Sequence, residues 1–167
     1  GASAEAPNWA IAFKFTPPLA TTQVRAITVQ IGRTGVLTPV AELTPVQLGG
    51  SVIARASLHN FSEISRRDIR VGDFVVVEKA GELIPSISRV ERSRRPAASQ
   101  RYVPPTLCPV CRATVVQLRG QVAIHCPNSA CPAQLRRRLA HFCGKQGVGI
   151  EGLEPASLDG LVSAGVV

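Results

Sequence analysis

The chain contains no methionine, one tryptophan, one tyrosine and five phenylalanines. Without a methionine, residue 1 is not a native start, and we read the chain as a piece of a longer protein. No run of about eighteen apolar residues occurs, so no segment predicts a membrane-crossing helix. No charged n-region leads into an apolar core near the N-terminus, so no secretion signal is visible. Acidic residues are scarce, eleven against nineteen basic ones, giving a net charge of +8 and a pI of about 10.1. Lysine is scarce too: sixteen of the nineteen basic residues are arginine. A planar guanidinium suits phosphates and base edges, so a polyanion partner fits better than a basic surface that merely keeps the chain in solution.

Cysteine is also sparse, but it is placed. Four of the five cysteines form two tight pairs, with two residues between Cys108 and Cys111, four between Cys126 and Cys131, and fourteen separating the pairs. Such gaps let a chain wrap one ion and aim two thiolates at it from each loop. Cys108, Cys111, Cys126 and Cys131 together would close a tetrahedral structural Zn²⁺ site, with no open position for chemistry. Two disulfides in a secreted chain are the alternative, and the spacing and the lack of a signal argue against it. His125 abuts Cys126 and is a spare imidazole. Between the pairs, Val115 to Leu118 and Gln121 to Ile124, split by Arg119-Gly120, predict a small hairpin. The unpaired Cys143 fits a reducing compartment.

Residues 9–15, WAIAFKF, alternate as a strand. Trp9, Ile11, Phe13 and Phe15 share one face. Ala10, Ala12 and Lys14 share the other, which leaves room for an anion beside the ammonium. A core strand with one solvated lysine is the plainer alternative. Pro17-Pro18 marks a boundary. Residues 17–104 then predict short strands. Val24, Ile27, Val29 and Ile31 lie in the first, and Gly32-Arg33-Thr34-Gly35 makes a turn. Val36 to Leu43, Pro45 to Leu48 and Ser51 to Leu58 follow. Asn60 caps a short helix over Ser62 to Ile69. Phe74 to Val77 is a buried strand, and Leu83 to Val90 returns the chain. This order predicts a mainly β Greek-key barrel of the OB type. Only Phe61, Phe74 and Tyr102 are aromatic in this stretch. Base stacking is therefore poorly supplied, and backbone-directed arginines point to duplex. Arg92 to Pro96 reads as a basic linker into the 105–131 cysteine segment, or as a solvated loop.

In the segment 132–167, Ala133 to Cys143 predicts a helix with an apolar face of Leu135, Leu139 and Phe142. Arg136, Arg137 and Arg138 run round the rest and are candidates for nucleic-acid contact, or a solvated face. Gly147 to Leu153 and a helix over Ser157 to Ala164 have the shape of the start of a helix-hairpin-helix unit, which can hold phosphate at a helix N-terminus.

The words WAIAFKF, VQIGRTGVLTPVA, RASLHN, DIRVGDFVVVEKAGELIP, CPVC…CPNSACPAQ and IEGL, in this order, resemble the bacterial NAD-dependent DNA ligases over nearly the whole chain. The resemblance implies an OB barrel, a Cys₄ zinc finger and the start of a helix-hairpin-helix domain. Residues 1–16 become the last strand of a nucleotidyltransferase domain whose remainder lies upstream. In that family a lysine in a Lys-x-Asp-Gly motif takes AMP from NAD, with Mg²⁺, and passes it to the 5′-phosphate of nicked duplex DNA. That motif is absent from these 167 residues, so the chain alone should not react with NAD. Lys14 matches the lysine that contacts the AMP phosphate. Arg33 and Thr34 match residues that reach the minor groove near the nick, and Lys79, Leu83 and Ile84 match the barrel's other DNA-facing loop. A monomer in the bacterial cytoplasm is implied. Two positions depart from the family. Arg112 stands where a glycine is usual, at a site that wants positive φ. Glu154 stands where Gly-Leu-Gly usually closes, and a carboxylate there repels phosphate. A non-catalytic OB and zinc-finger binding module is the rival reading. A rubredoxin-like iron protein is a third, and iron would colour the sample red.

Overall fold

A computed structural model describes residues 18–79, 85–145, 147–150 and 155–165. Lys14, Leu83, Ile84 and the Gly152-Leu153-Glu154 hairpin lie outside the described residues.

Five strands close a barrel: β1 Leu19–Ile31, β2 Leu37–Leu48, β3 Ser51–Ser57, β4 Phe74–Lys79 and β5 Pro85–Val90, in the order β1-β2-β3-β5-β4. All pairs are antiparallel except β3 with β5, which touch in parallel at Ser57 and Ser86 and close the ring. This is the expected Greek-key barrel. β1 reaches both neighbours because it bends. Its first half pairs with β4 and its second with β2, and the register slips between Val24 and Ala26. The apolar spacing shifts there as well, from Val24 to Ile27, which is what an extra residue in a bulge produces.

β2 is one strand, not the two pieces the prolines suggest. Pro45 sits where β2 slips against β3 between Glu42 and Val46, a place where no ladder N–H is needed. The side chain of Pro39 is fully buried, and its carbonyl still accepts from Leu58 N–H at 3.1 Å. Thr22, also buried, bonds the carbonyl of Thr44 across the bulge.

Helix α1, Phe61–Arg67, starts where Asn60 Oδ1 accepts from Glu63 N–H at 2.9 Å. It ends at Asp68, whose φ of 53° turns the chain while its N–H meets Ile64 and Ser65 carbonyls. Phe61 and Ile64 enter the core formed by Val24, Leu37, Ala41, Ile53, Val75, Val77 and Ile87. Of the expected buried run Phe74 to Val77, Val75 to Val77 are buried and Phe74 is half-buried.

Cys108, Cys126 and Cys131 belong to the same buried cluster, so the cysteine module is continuous with the barrel core. Its hairpin pairs β6, Val116–Gln117, with β7, Ile124–His125, about a turn in which Gly120 has φ 81°. Helix α2, Pro132–Cys143, and helix α3, Pro155–Ser163, follow and pack together. Phe142 is 57% exposed, so it is not part of the packed face predicted for α2. Gln134 is buried on that helix. Among the described residues, no helix is long and apolar enough to cross a membrane.

Candidate metal centre and nucleic-acid interface

Two knuckles present the four cysteines. In the first, Cys108 N–H donates to Ala113 O at 2.8 Å and Arg112 N–H to Cys108 O at 3.0 Å. Arg112 adopts φ 61°, the left-handed backbone that a glycine would occupy without strain. In the second, Cys131 N–H donates to Asn128 O at 3.0 Å and Ala130 N–H to Asn128 Oδ1 at 3.0 Å. Pro132 then starts α2, so Cys131 sits where the helix still has unpaired amides.

All four sulfurs lie within 4.8 Å of one another, with Cys111 and Cys126 at 3.5 Å and Cys108 and Cys131 at 4.0 Å. Zn–S bonds of about 2.3 Å give tetrahedral S···S edges of about 3.8 Å, so these separations bracket one ion. The surroundings favour charge unevenly. The Ala113 N–H brings the Cys111 thiol down to about 6. Burial pushes Cys126 up to about 12 and raises Cys131 too, although the Gln134 and Ala133 amides partly offset this at Cys131. Four crowded sulfurs, three of them buried, ionise together only around a cation. Thiolates select Zn²⁺, and with four protein ligands the site is structural rather than catalytic. The five cysteines are free of disulfides, and His125 is not in the ligand cluster. Its backbone instead bridges to Val36 of the barrel, and its buried Nε2 has no protein partner.

That bridge joins the centre to the turn between β1 and β2. Gly35 N–H closes the turn onto Gly32 O at 3.0 Å, and Cys126 N–H donates to Gly35 O at 2.9 Å. Gly35 has φ 84°, and a Cβ there would fall 2.5 Å from Cys126 O. A side chain is excluded. Arg33 and Thr34 sit at the tip of this turn, both exposed. Lys79 lies at the opposite end of β1, since its neighbour Glu78 pairs with Leu19. The structure thus does not bring Arg33 and Lys79 together.

The three arginines of α2 separate as well. Arg136 and Arg137 line a cleft of about 510 Å³ with Gln30 and Ile31 of β1, Ala133, Ala140 and the buried Leu158 of α3. Arg138 turns back to bond Ser129 O on the second knuckle. Arg94 and Arg95 are neither a basic linker nor a solvated loop. Arg94 lies over the Phe74 ring at 3.7 Å, and Arg95 is held by Asp68 and the fully buried Asp73. Phe61 stacks on Tyr102 at 6.1 Å. The three barrel aromatics are therefore spent inside the protein, which fits the expectation that base stacking is poorly supplied.

Sequence reasoning missed Gln134. Its signal was its place one helical turn after the ligand Cys131, on the same side of α2.

Residues 21–99 match the NAD-dependent DNA ligase OB-fold domain, and residues 108–133 match the NAD-dependent DNA ligase C4 zinc finger domain. A DNA ligase 1 of Opitutus terrae is 58% identical over 167 residues, all of this chain and 25% of the relative. DNA ligases of Pelotomaculum thermopropionicum and Thermotoga maritima are 48% and 49% identical, again across the whole chain and 25% and 24% of their lengths. The chain thus spans about a quarter of the length of the curated relatives it matches. On the barrel, the four-sulfur centre and these two matches, the chain belongs to the NAD-dependent DNA ligase family and carries its OB-fold and C4 zinc-finger region.

Proposed function

We propose that this region grips nicked duplex DNA for an enzyme that seals the nick in replication and repair. The observation that carries the reading is the Arg33–Thr34 turn, which is exposed at its tip and tied at its base to a Cys₄ centre by the 2.9 Å bond from Cys126 N–H to Gly35 O. A guanidinium on a fixed backbone can enter a groove without first being ordered. Arg33 and Thr34 take the minor groove. Lys79, with Leu83 and Ile84 beyond it, meets the duplex from the other end of β1. Arg136 and Arg137 lie toward phosphates, while Arg138, the third arginine of α2, stays bonded to Ser129 O.

The covalent chemistry belongs to a nucleotidyltransferase domain on the whole protein. That domain supplies the lysine that takes AMP from NAD, with Mg²⁺ to neutralise phosphate charge, and Lys14 contacts the AMP phosphate. The present chain gains no AMP when mixed with NAD and Mg²⁺. Radiolabelled AMP held covalently on it would overturn that statement. The whole protein works as a monomer in the bacterial cytoplasm, on nucleoid DNA.

A fluorescence-anisotropy titration of nicked duplex against a single strand of equal length tests the grip. Duplex binds better, with a Kd of about 10⁻⁴ to 10⁻⁶ M and little sequence preference. The rival, a single-strand or RNA-binding module, lacks free aromatic platforms on the described barrel, because Phe61, Phe74 and Tyr102 are engaged internally. A single strand that binds clearly better than duplex would establish that rival instead.

A further inference from the structure

Arg33 and Thr34 project from a turn that their own exposed side chains do little to fix. We propose that Gln134 is the positioning residue through which the Cys₄ centre sets the location of this turn. The consequence for DNA rests on the reading above that the turn meets duplex.

Gln134 is 6% exposed, although it lies on a helix whose outer face carries three arginines. Its Nε2 donates to Cys126 O at 3.0 Å and to Asn128 O at 3.0 Å. A primary amide has two N–H donors, and both are used on one knuckle. Its main-chain N–H meets the sulfur of Cys131. One residue thus holds the second ligand pair from both sides, Cys126 by its carbonyl and Cys131 by its thiolate.

The Gly35 contact begins at that same carbonyl. Around the ideal Cβ direction of Gly35, Cys126 O lies at 2.5 Å, Gln134 Nε2 at 3.0 Å and Gln134 Cδ at 3.2 Å. The turn therefore packs directly on the pair Gln134–Cys126, and Cys126 N–H closes the contact by donating to Gly35 O. A chain of short polar contacts runs from the sulfur centre through Gln134 and Cys126 to Gly35, two residues from Arg33. Removing the amide leaves Cys126 O without its donor, leaves Asn128 O with only the Cys131 N–H, and opens a gap beside Gly35. The ligands themselves stay in place.

The test compares Gln134→Ala, Arg33→Ala and the double variant. Gln134→Ala retains one zinc per chain by elemental analysis. Its Cys126 and Gly35 amides exchange hydrogen faster than in the wild type, while Val75 and Val77 do not change. Its Kd for nicked duplex rises about three- to tenfold, the loss expected when Arg33 must be ordered on binding instead of being held in place beforehand. In the Arg33→Ala background the same change adds little further loss, because Gln134 acts through the placement of Arg33. Losses that add in full, or wild-type exchange at Gly35, would overturn the proposal. If Gln134→Ala cannot hold zinc, the wild type is chelated instead. Loss of protection at Gly35 together with Cys126 is then the expected result, and a turn that stays protected after the metal is stripped refutes it. If Arg33→Ala binds DNA as tightly as the wild type, the DNA reading fails, and the exchange data still decide the role of Gln134.

Discussion

Asp73 sits fully buried in the turn between α1 and β4. Its Oδ1 accepts from Arg95 Nε at 2.8 Å, and its Oδ2 accepts from Arg95 Nη2 at 2.9 Å and from Arg70 N–H at 2.9 Å. Asp73→Ala removes all three bonds at once. Deleting one partner of a buried ion pair costs about 3–5 kcal/mol. Two features adjust that figure. Arg95 keeps the Asp68 carboxylate and main-chain oxygen, so it is not left without a counter-charge, which lowers the cost. The Arg70 N–H loses its acceptor, which adds about 1–3 kcal/mol if water cannot replace it. We expect a net loss of about 4 kcal/mol. A domain of this size has about 5–15 kcal/mol in all. The assay is urea unfolding of zinc-saturated protein at neutral pH, followed by far-UV circular dichroism. With a slope of about 2 kcal/mol per molar, the midpoint should fall by about 2 M. Asp73→Asn keeps the volume but turns an amide N–H toward a guanidinium, and should fall by about half as much. An Asp73→Ala midpoint within about 0.5 M of wild type would show that solvent, not Asp73, satisfies Arg95, and the argument from burial would fail.

Chelation should unfold residues 105–131 and loosen the Gly32–Val36 turn while β4 stays protected, because thiolate ligation supplies folding energy to so short a segment; simultaneous loss of the Val75–Val77 amide signals contradicts this. Arg112→Gly should tighten zinc binding about two- to fivefold, since φ 61° costs an arginine about 1 kcal/mol that glycine does not incur, and a competitive chelator titration reads it. Arg66, helped by Arg67, holds the Glu63 carboxyl at about 2, and Arg70 and Arg95 hold Asp68 below the ordinary range. Both folded values are depressed, so their stabilisation is present above about pH 4.5 and is lost as pH falls toward 2; Glu63→Gln should flatten that part of a stability–pH curve. The slope of log K against log salt for nicked duplex should be about −3, as for three or four phosphates, and a slope near −7 would mean that most of the net charge meets DNA.

Much of the fold was legible because its signals are local. The Cys₄ spacing, the Arg119-Gly120 turn, the Asn60 cap and the Phe74–Val77 run each depend on residues a few positions apart, and each appears in the structure. What misled was long-range. Pro45 reads as a strand break in isolation, yet a bulge against β3 absorbs it. Phe142 reads as core by helical spacing, but packing on α2 turns Gln134 inward and leaves Phe142 out. Gln134 carries no apolar signal, since its burial follows from two carbonyls on another loop. The bond between Gly35 and Cys126 joins residues ninety-one positions apart, and no pattern in either segment announces it.

Net charge points to a polyanion, but it does not say which arginines meet one. Arg70 and Arg95 are 19% and 14% exposed and are committed to Asp68 and Asp73. Arg67 reaches Glu63 and the carbonyls of Ile87 and Ser88. Arg94 covers Phe74, and Arg138 closes onto Ser129. These five side chains hold α1, the post-barrel segment and the second knuckle in place, and a phosphate could take them only by undoing that packing. Arg55 and Arg66 are exposed and paired to single glutamates, bonds of the kind that are worth about 1 kcal/mol or less and exchange readily. A guanidinium becomes a recognition element when it is exposed and its backbone is fixed at the same time. Arg33 is exposed and stands two residues from the bond between Cys126 N–H and Gly35 O, so on the proposal above it meets both conditions. On the reading proposed above, the finger's contribution to DNA binding is then geometric: it needs no DNA contact of its own to matter, because it holds the turn proposed to make one.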